Sequence, residues 1–268
     1  MQRREFLAAS AATAVGLAAP KWARADEPAQ PRQFFELRTY RFATAAKQQT
    51  FEDFLAKAAV PAFNRAGIEP VGAFRLAAAE NKALKLDADP AELRVLLPHN
   101  SIDSVLTLES RLAADEAFQT AGKDILQAPK SDPAFLRYDS TLLLAMERAP
   151  RLIPPAQNGD GRVFELRTYE SPNQERAKNK LDMFNAGEMP IFVKAGMPGV
   201  FYGGAIAGQG LPQLTYMVVH TDLAESKKNW NAFGDDPDWK TLSAGAVYKD
   251  NVSKVISLFI RPTGGSQI

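Results

Sequence analysis

Cysteine is absent from all 268 residues, and histidine occurs only twice, at His99 and His220. The first absence excludes disulfides, thiolate catalysis, iron–sulfur clusters and cysteine-ligated zinc. There is no excess of charge of either sign, with 32 basic against 31 acidic residues. That balance leaves no basic footprint for nucleic acid and no polybasic patch for anionic lipid. Past the N-terminus no stretch approaches the roughly 20 strongly apolar residues of a membrane span. Nor is there a phosphate loop. The glycine-rich run Gly203–Gly210 precedes no helix and reads as a hairpin turn. No Ser-His-Asp order gives nucleophilic catalysis a foothold, and no cofactor motif is present.

The first 25 residues have the order of an export signal. Arg3-Arg4 are followed by Phe6-Leu7, by a run of small apolar residues over Ala8–Ala19, and by the small-x-small site Ala23-Arg24-Ala25. The paired arginines with Phe6-Leu7 are the bacterial twin-arginine pattern, and an ordinary secretory signal is the alternative. Cleavage between Ala25 and Asp26 would place the product in the periplasm or outside the cell. Removing that segment takes away Arg3, Arg4, Lys21 and Arg24 against Glu5 and leaves a slight acidic excess. Without disulfides, the exported product must rely on its core.

The remainder is a duplication. Phe-Glu-Leu-Arg-Thr-Tyr occurs at Phe35–Tyr40 and again at Phe164–Tyr169. At the same offset of 129 residues Asp53 meets Asp182, Pro61 meets Pro190, Phe63 meets Phe192 and Gly67 meets Gly196. Further on, at an offset of 121, Leu93 meets Leu214, His99 meets His220, Asp115 meets Asp236 and Phe118 meets Trp239. Each copy has the size of an ordinary domain, far longer than a solenoid repeat. The expected division is a leader at 26–32, one domain at 33–149, a linker at 150–160, a second domain at 161–262 and a tail at 263–268.

Within each copy the pattern predicts βαββαβ. In Gln33–Arg41, Phe35, Leu37 and Thr39 share one face and Glu36, Arg38 and Tyr40 the other. A helix is expected over 47–65, interrupted near Pro61 and ended by a left-handed cap at Gly67. Strands follow over 71–78 and 93–99, then a helical stretch over 101–126 and a strand over 138–148. The second copy repeats the order at 162–170, 174–195, 199–206, 213–221, 222–248 and 252–261. The expected fold is therefore α+β: two tandem ferredoxin-like domains, each with helices on one face of a four-stranded sheet. The bare sheet faces would pack against each other as a pseudo-dimeric barrel.

In these residues the chain resembles the NIPSNAP family of the dimeric α+β barrel superfamily. The likeness rests on Phe-Glu-Leu-Arg-Thr-Tyr in both copies, on Pro61–Gly67 and Pro190–Gly196, and on Val218-Val219-His220 with Asp236-Pro237-Asp238-Trp239. It covers 33–262, and the first copy, with Asp115-Glu116-Ala117-Phe118, is the more diverged. It implies interaction with another protein or a small molecule, since the superfamily includes binding modules, cofactor-free monooxygenases and haem enzymes. It carries over no shared catalytic set.

Glu36, Arg38 and Tyr40, with Glu165, Arg167 and Tyr169, are the candidate binding residues. A carboxylate, a guanidinium and a phenol on one strand face could hold a polar ligand or supply an acid or base. Their retention in both copies argues instead for an ion-pair network organising the interface between the two sheets. His99 and His220 could ligate a metal or haem, but each stands alone at a strand end, where capping of backbone groups is the plainer role. Trp230 and Trp239 read as core or interface. The functional expectation is an exported module that binds a small molecule or a protein, or pairs with a further copy of itself, without a cofactor. The alternative is a cofactor-free oxygenase-like or isomerase-like enzyme acting on an apolar or aromatic compound. Its cleft would be lined by Phe54, Phe63 and Phe74 or by Phe184, Phe192 and Phe201.

Overall fold

The computed structural model describes residues 31–156 and 161–268. The export signal, with its Ala25–Asp26 cleavage site, and the last part of the linker lie outside them. Eight strands carry the fold: β1 (Phe34–Arg41), β2 (Gly72–Leu76), β3 (Glu92–His99), β4 (Arg137–Ala145), β5 (Val163–Glu170), β6 (Gly199–Ala207), β7 (Gln213–His220) and β8 (Lys254–Pro262). The first half adds helices α1 (Ala45–Phe54), α2 (Val60–Arg65), α3 (Ile102–Ala113), α4 (Glu116–Ala121) and α5 (Lys123–Leu126). The second adds α6 (Gln174–Met183), α7 (Met189–Lys194), α8 (Leu223–Asp235) and α9 (Pro237–Ser243).

Local chemistry sets the helix boundaries. Thr44, Ser101, Asn173 and Asp222 sit in extended backbone, and each side-chain oxygen accepts an N–H of the first turn of α1, α3, α6 and α8. Pro61 and Pro190 have no N–H to donate and would crowd a regular preceding turn. Both copies answer with a wide turn, at Leu55–Ala59 and Phe184–Glu188, just ahead of α2 and α7. Gly67 and Gly196 end these helices at φ of 73° and 83°, the left-handed region that glycine enters without a Cβ penalty.

All strand pairs are antiparallel, and together they close a barrel in the order β1-β3-β2-β8-β5-β7-β6-β4. Each half contributes its fourth, first, third and second strands side by side. The sheets of the two halves do more than face each other. Their edges also join, β2 to β8 and β4 to β6, so no sheet edge is left open. At the first seam the Asn81 amide extends a short ladder, donating to Phe259 O and accepting from Phe259 N at 2.8 Å each. At the second seam the strands come so close that a Cβ on Gly203 would lie 2.9 Å from that of Leu143.

The alternation of side chains divides the core into three. Phe35, Leu96, Phe164, Val219 and Ile260 fill the barrel from inside. The outward faces carry Leu93 and Val95 in one half and Leu214, Tyr216 and Val218 in the other. The helices pack over these outward faces. No helix among the described residues is long and apolar enough to cross a membrane.

Candidate functional site

Glu36, Arg38 and Tyr40 lie on the outward face of β1, and Glu165, Arg167 and Tyr169 on that of β5, between barrel wall and helices. They do not organise an interface between the sheets. Phe35, Leu37 and Thr39, the alternate set, turn inward instead. Pattern alone tells which residues share a face but not which face becomes the inside.

In the first half Arg38 grips Glu36 with two parallel bonds, Nε to Oε1 at 2.8 Å and Nη2 to Oε2 at 2.9 Å. Ser140, directly across the β1/β4 ladder from Arg38, donates to Glu36 Oε1 at 2.8 Å. Arg38 Nη2 also reaches Glu109 on α3 at 3.3 Å, and Nη1 donates to the Tyr40 hydroxyl at 3.4 Å. The Arg38 guanidinium carbon lies over the Tyr138 ring, 5.4 Å from its centroid.

The second half rebuilds this plan with more donors. Glu165 accepts from Arg167 Nη1 and Ser257 Oγ on one oxygen, both at 2.6 Å. Its other oxygen takes Trp230 Nε1 at 2.6 Å and faces His220 Nε2 at 3.1 Å. Trp230 occupies the position of Glu109 and stacks its ring 4.2 Å from the Arg167 guanidinium carbon. Tyr216, opposite Arg167 where the first half has Val95 opposite Arg38, shares a 2.7 Å hydrogen bond with Tyr169.

Burial alone would raise both carboxyls. For Glu36 the nearby His99 imidazole, Arg38 and Ser140 outweigh it and hold the group at about 2. For Glu165, His220, Arg167, Ser257 and Trp230 do the same, again to about 2. Both groups are therefore carboxylates across the physiological range, and each is spent on holding its arginine.

The histidines belong to these clusters rather than capping backbone. His99 Nε2 stands 3.6 Å from Glu36, beyond hydrogen-bond reach, and its Nδ1 meets Ser104 Oγ at 3.0 Å. His220 bonds Glu165 as above. Among the described residues no group of His, Asp and Glu has the arrangement to hold a metal ion.

One arrangement is confined to the second half and went unread in the sequence. Lys180 on α6 and Glu188 in the wide turn form an ion pair at 2.7 Å, with side chains only 5% and 2% exposed. Lys180 Nζ also lies over the rings of Phe184, Tyr169 and Trp239. Burial pushes the Glu188 carboxyl up against the pull of Lys180. Nearby, the fully buried Tyr202 hydroxyl has no hydrogen-bond partner among the described residues, and burial raises it as well. At the duplication offset of 129, Lys180 corresponds to Phe51 and Glu188 to Ala59. That comparison was the one signal that could have found the pair.

Neither triplet of phenylalanines expected to line a cleft, Phe54, Phe63 and Phe74 or Phe184, Phe192 and Phe201, lines one space. Phe63 and the partly buried Phe54 belong to the cluster under the helices of the first half, and Phe184 with Phe192 to that of the second. Phe74 and Phe201 point into the barrel.

Residues 164–267 match the family model described as NIPSNAP. No curated protein matches the chain in sequence. Among solved structures, the chain is similar to a candidate monooxygenase from Fusobacterium nucleatum at 10% identity and a TM-score of 0.57, over 87% of this chain and 93% of that one. A candidate monooxygenase from Lactobacillus acidophilus is similar at 11% identity and a TM-score of 0.55, over 86% of this chain and 94% of its own. A NIPSNAP-like domain protein from Burkholderia xenovorans matches 41% of this chain and 92% of its own, at 16% identity and a TM-score of 0.37. At these identities the first two likenesses speak to the α+β barrel fold alone.

Proposed function

We propose that this chain, which belongs to the NIPSNAP family through its second half, residues 164–267, works as a binding module for a small molecule or a protein, without chemistry of its own. Each half is read as one ferredoxin-like unit, 33–149 and 161–262, the first a diverged copy of the second. The module is read as exported, on Arg3-Arg4 and the Ala25–Asp26 site.

The observation that carries the reading is saturation. Glu36 and Glu165 are each engaged by an arginine and a serine in equivalent places, and Glu165 has four partners in all. An acid or base needs a free position facing a substrate, and a group that faces only its own partners is scaffold. The rival reading, chemistry on an apolar or aromatic molecule, would draw on Lys180, Glu188 and Tyr202, the polar groups present in one half only.

The test combines native mass spectrometry with unfolding of Arg38→Ala and Arg167→Ala. The reading expects both variants to lose stability while the folded fraction keeps any small molecule that co-purifies with the wild type. Unchanged stability would return the two clusters to function. Export is tested separately by replacing Arg3-Arg4 with Lys-Lys: loss of export supports the twin-arginine route, and a product retained inside the cell from Met1 in the unaltered chain would refute export.

A further inference from the structure

Followed along its axis, the barrel interior changes character. At one end Phe35, Phe164 and Ile260 are fully buried, with Leu152 from the linker and Ile268 from the C-terminus packed across them. Toward the other end the inward-facing residues Leu37, Thr39, Thr168 and Leu258 are partly exposed. The interior is therefore a bowl, closed below by aromatic and aliphatic side chains and open above.

Arg94 stands in the wall of that bowl. Its neighbours Leu93 and Val95 face the helices while Leu96 faces inward, so alternation along β3 turns Arg94 inward too. It lies opposite Thr39 on β1 and Phe74 on β2. Its side chain is only 10% exposed. Nη2 has one long bond to Glu92 at 3.3 Å, and the buried Nη1 has no partner among the described residues.

The other charged groups on this rim do not complete it. Arg41 draws on Asp139 at 2.6 Å and shares Glu92 at 3.7 Å, and Lys254 is 3.2 Å from Glu170 across the mouth. Burial disfavours the charge on Arg94, Glu92 offsets only part of that, and Arg41 adds to the deficit. The unpaired donor is specific to the first half. The equivalent residue in the second half is Thr215, whose hydroxyl is satisfied by Thr168 at 2.9 Å. A buried donor left unpaired is costly and calls for an explanation.

We propose that the open end of the barrel binds a small apolar carboxylate, its head on Arg94 Nη1 beside Thr39 and its body against Leu37 and Leu258. A charge-assisted bond from a guanidinium in a mostly apolar bowl is the donor set such a molecule requires. The proposal rests on the binding-module reading and names its ligand class.

Calorimetric titration of the full chain with octanoate tests it, alongside octan-1-ol, which has the tail without the charge, and acetate, which has the charge without the tail. The expected result is one octanoate per chain, with the alcohol and acetate at least tenfold weaker. Arg94→Thr, which installs the second half's residue, should weaken octanoate at least tenfold without lowering the unfolding midpoint. Leu258→Trp fills the bowl while leaving Arg94 in place, and it should also abolish binding, so the outcome does not depend on one variant folding. No octanoate binding by the wild type, equal binding of octanoate and octan-1-ol, or unchanged binding in both variants would overturn the proposal. Those failures leave a protein-binding module standing, whereas a catalytic turnover would sink the broader reading whatever octanoate does.

Discussion

Replacing Glu165 by glutamine keeps the shape of a buried side chain and removes its charge. The amide nitrogen must then face either Arg167 and Ser257 or His220 and Trp230. Ser257 and His220 can turn to accept, but Arg167 and Trp230 carry only donors. Either orientation loses one bond of 2.6 Å and leaves the Arg167 guanidinium, 16% exposed, without a counter-charge. Breaking a buried pair in this way costs about 3–5 kcal/mol. In a chain of this size that lowers the melting midpoint by on the order of 10 °C. Glu36→Gln should cost less, about 1–3 kcal/mol, because Arg38 keeps Glu109 at 3.3 Å and the Glu36 side chain is already 10% exposed. Urea unfolding at neutral pH reads both, with unchanged m-values as the check on two-state behaviour. Adding Arg167→Met to Glu165→Gln should restore most of the loss, since no unpaired charge remains. A Glu165→Gln cost under about 1 kcal/mol, or smaller than that of Glu36→Gln, would refute the reasoning.

Acid should undo the same two clusters. Their carboxyls titrate near 2 in the fold against an ordinary 4.5, so the stability they supply is complete above 4.5 and is lost as pH falls toward 2; urea midpoints should drop steeply there, and the Glu36→Gln, Glu165→Gln double variant should drop less steeply, keeping only the acid sensitivity of groups such as Asp115, Glu225 and Asp236. Lys180→Phe with Glu188→Ala, which copies Phe51 and Ala59, should be neutral or stabilising by about 1–4 kcal/mol, whereas Lys180→Met alone should cost about 3–5 kcal/mol, both measured by thermal unfolding. Gly67→Ala places a Cβ in open space but at φ of 73°, so it should cost about 1–2 kcal/mol from backbone strain alone. Gly196→Ala should cost more by the same assay, because its Cβ would also sit 3.1 Å from Asn229.

The elements that local rules control were legible. The repeated Phe-Glu-Leu-Arg-Thr-Tyr became β1 and β5, the prolines at 61 and 190 fell where the helices change pitch, and Gly67 and Gly196 took the left-handed cap. Of the glycine-rich run, expected as a hairpin turn, only Gly208–Gly210 lie between the strands, while Gly203–Ala207 belong to β6 itself and pair with β4 and β7. What pattern could not supply were relations between distant segments. The seams that close the barrel depend on Asn81 meeting Phe259 and on Gly203 meeting Leu143, contacts that no local periodicity encodes. The Glu-Arg-Tyr faces were seen as units, but their completion by Ser140, Ser257 and Trp230 comes from strands and helices far along the chain. Lys180 and Glu188, eight residues apart in a polar helix, look like a solvated face until the two copies are compared. Arg94, the one residue between Glu92 and His99 on β3 that is not apolar, stood in plain view, and its meaning depends on the barrel closing around it.

The most direct measurement of the central claim, binding without chemistry, follows what the unaltered protein carries. Protein purified from its own host would be taken through an absorption spectrum and native mass spectrometry, and any bound molecule identified before and after aerobic incubation. The account predicts no visible band and a molecule, where one is bound, that returns with its mass unchanged. A haem-like band, or a bound compound whose mass shifts on incubation in the wild type but not after Lys180→Phe with Glu188→Ala, would contradict it.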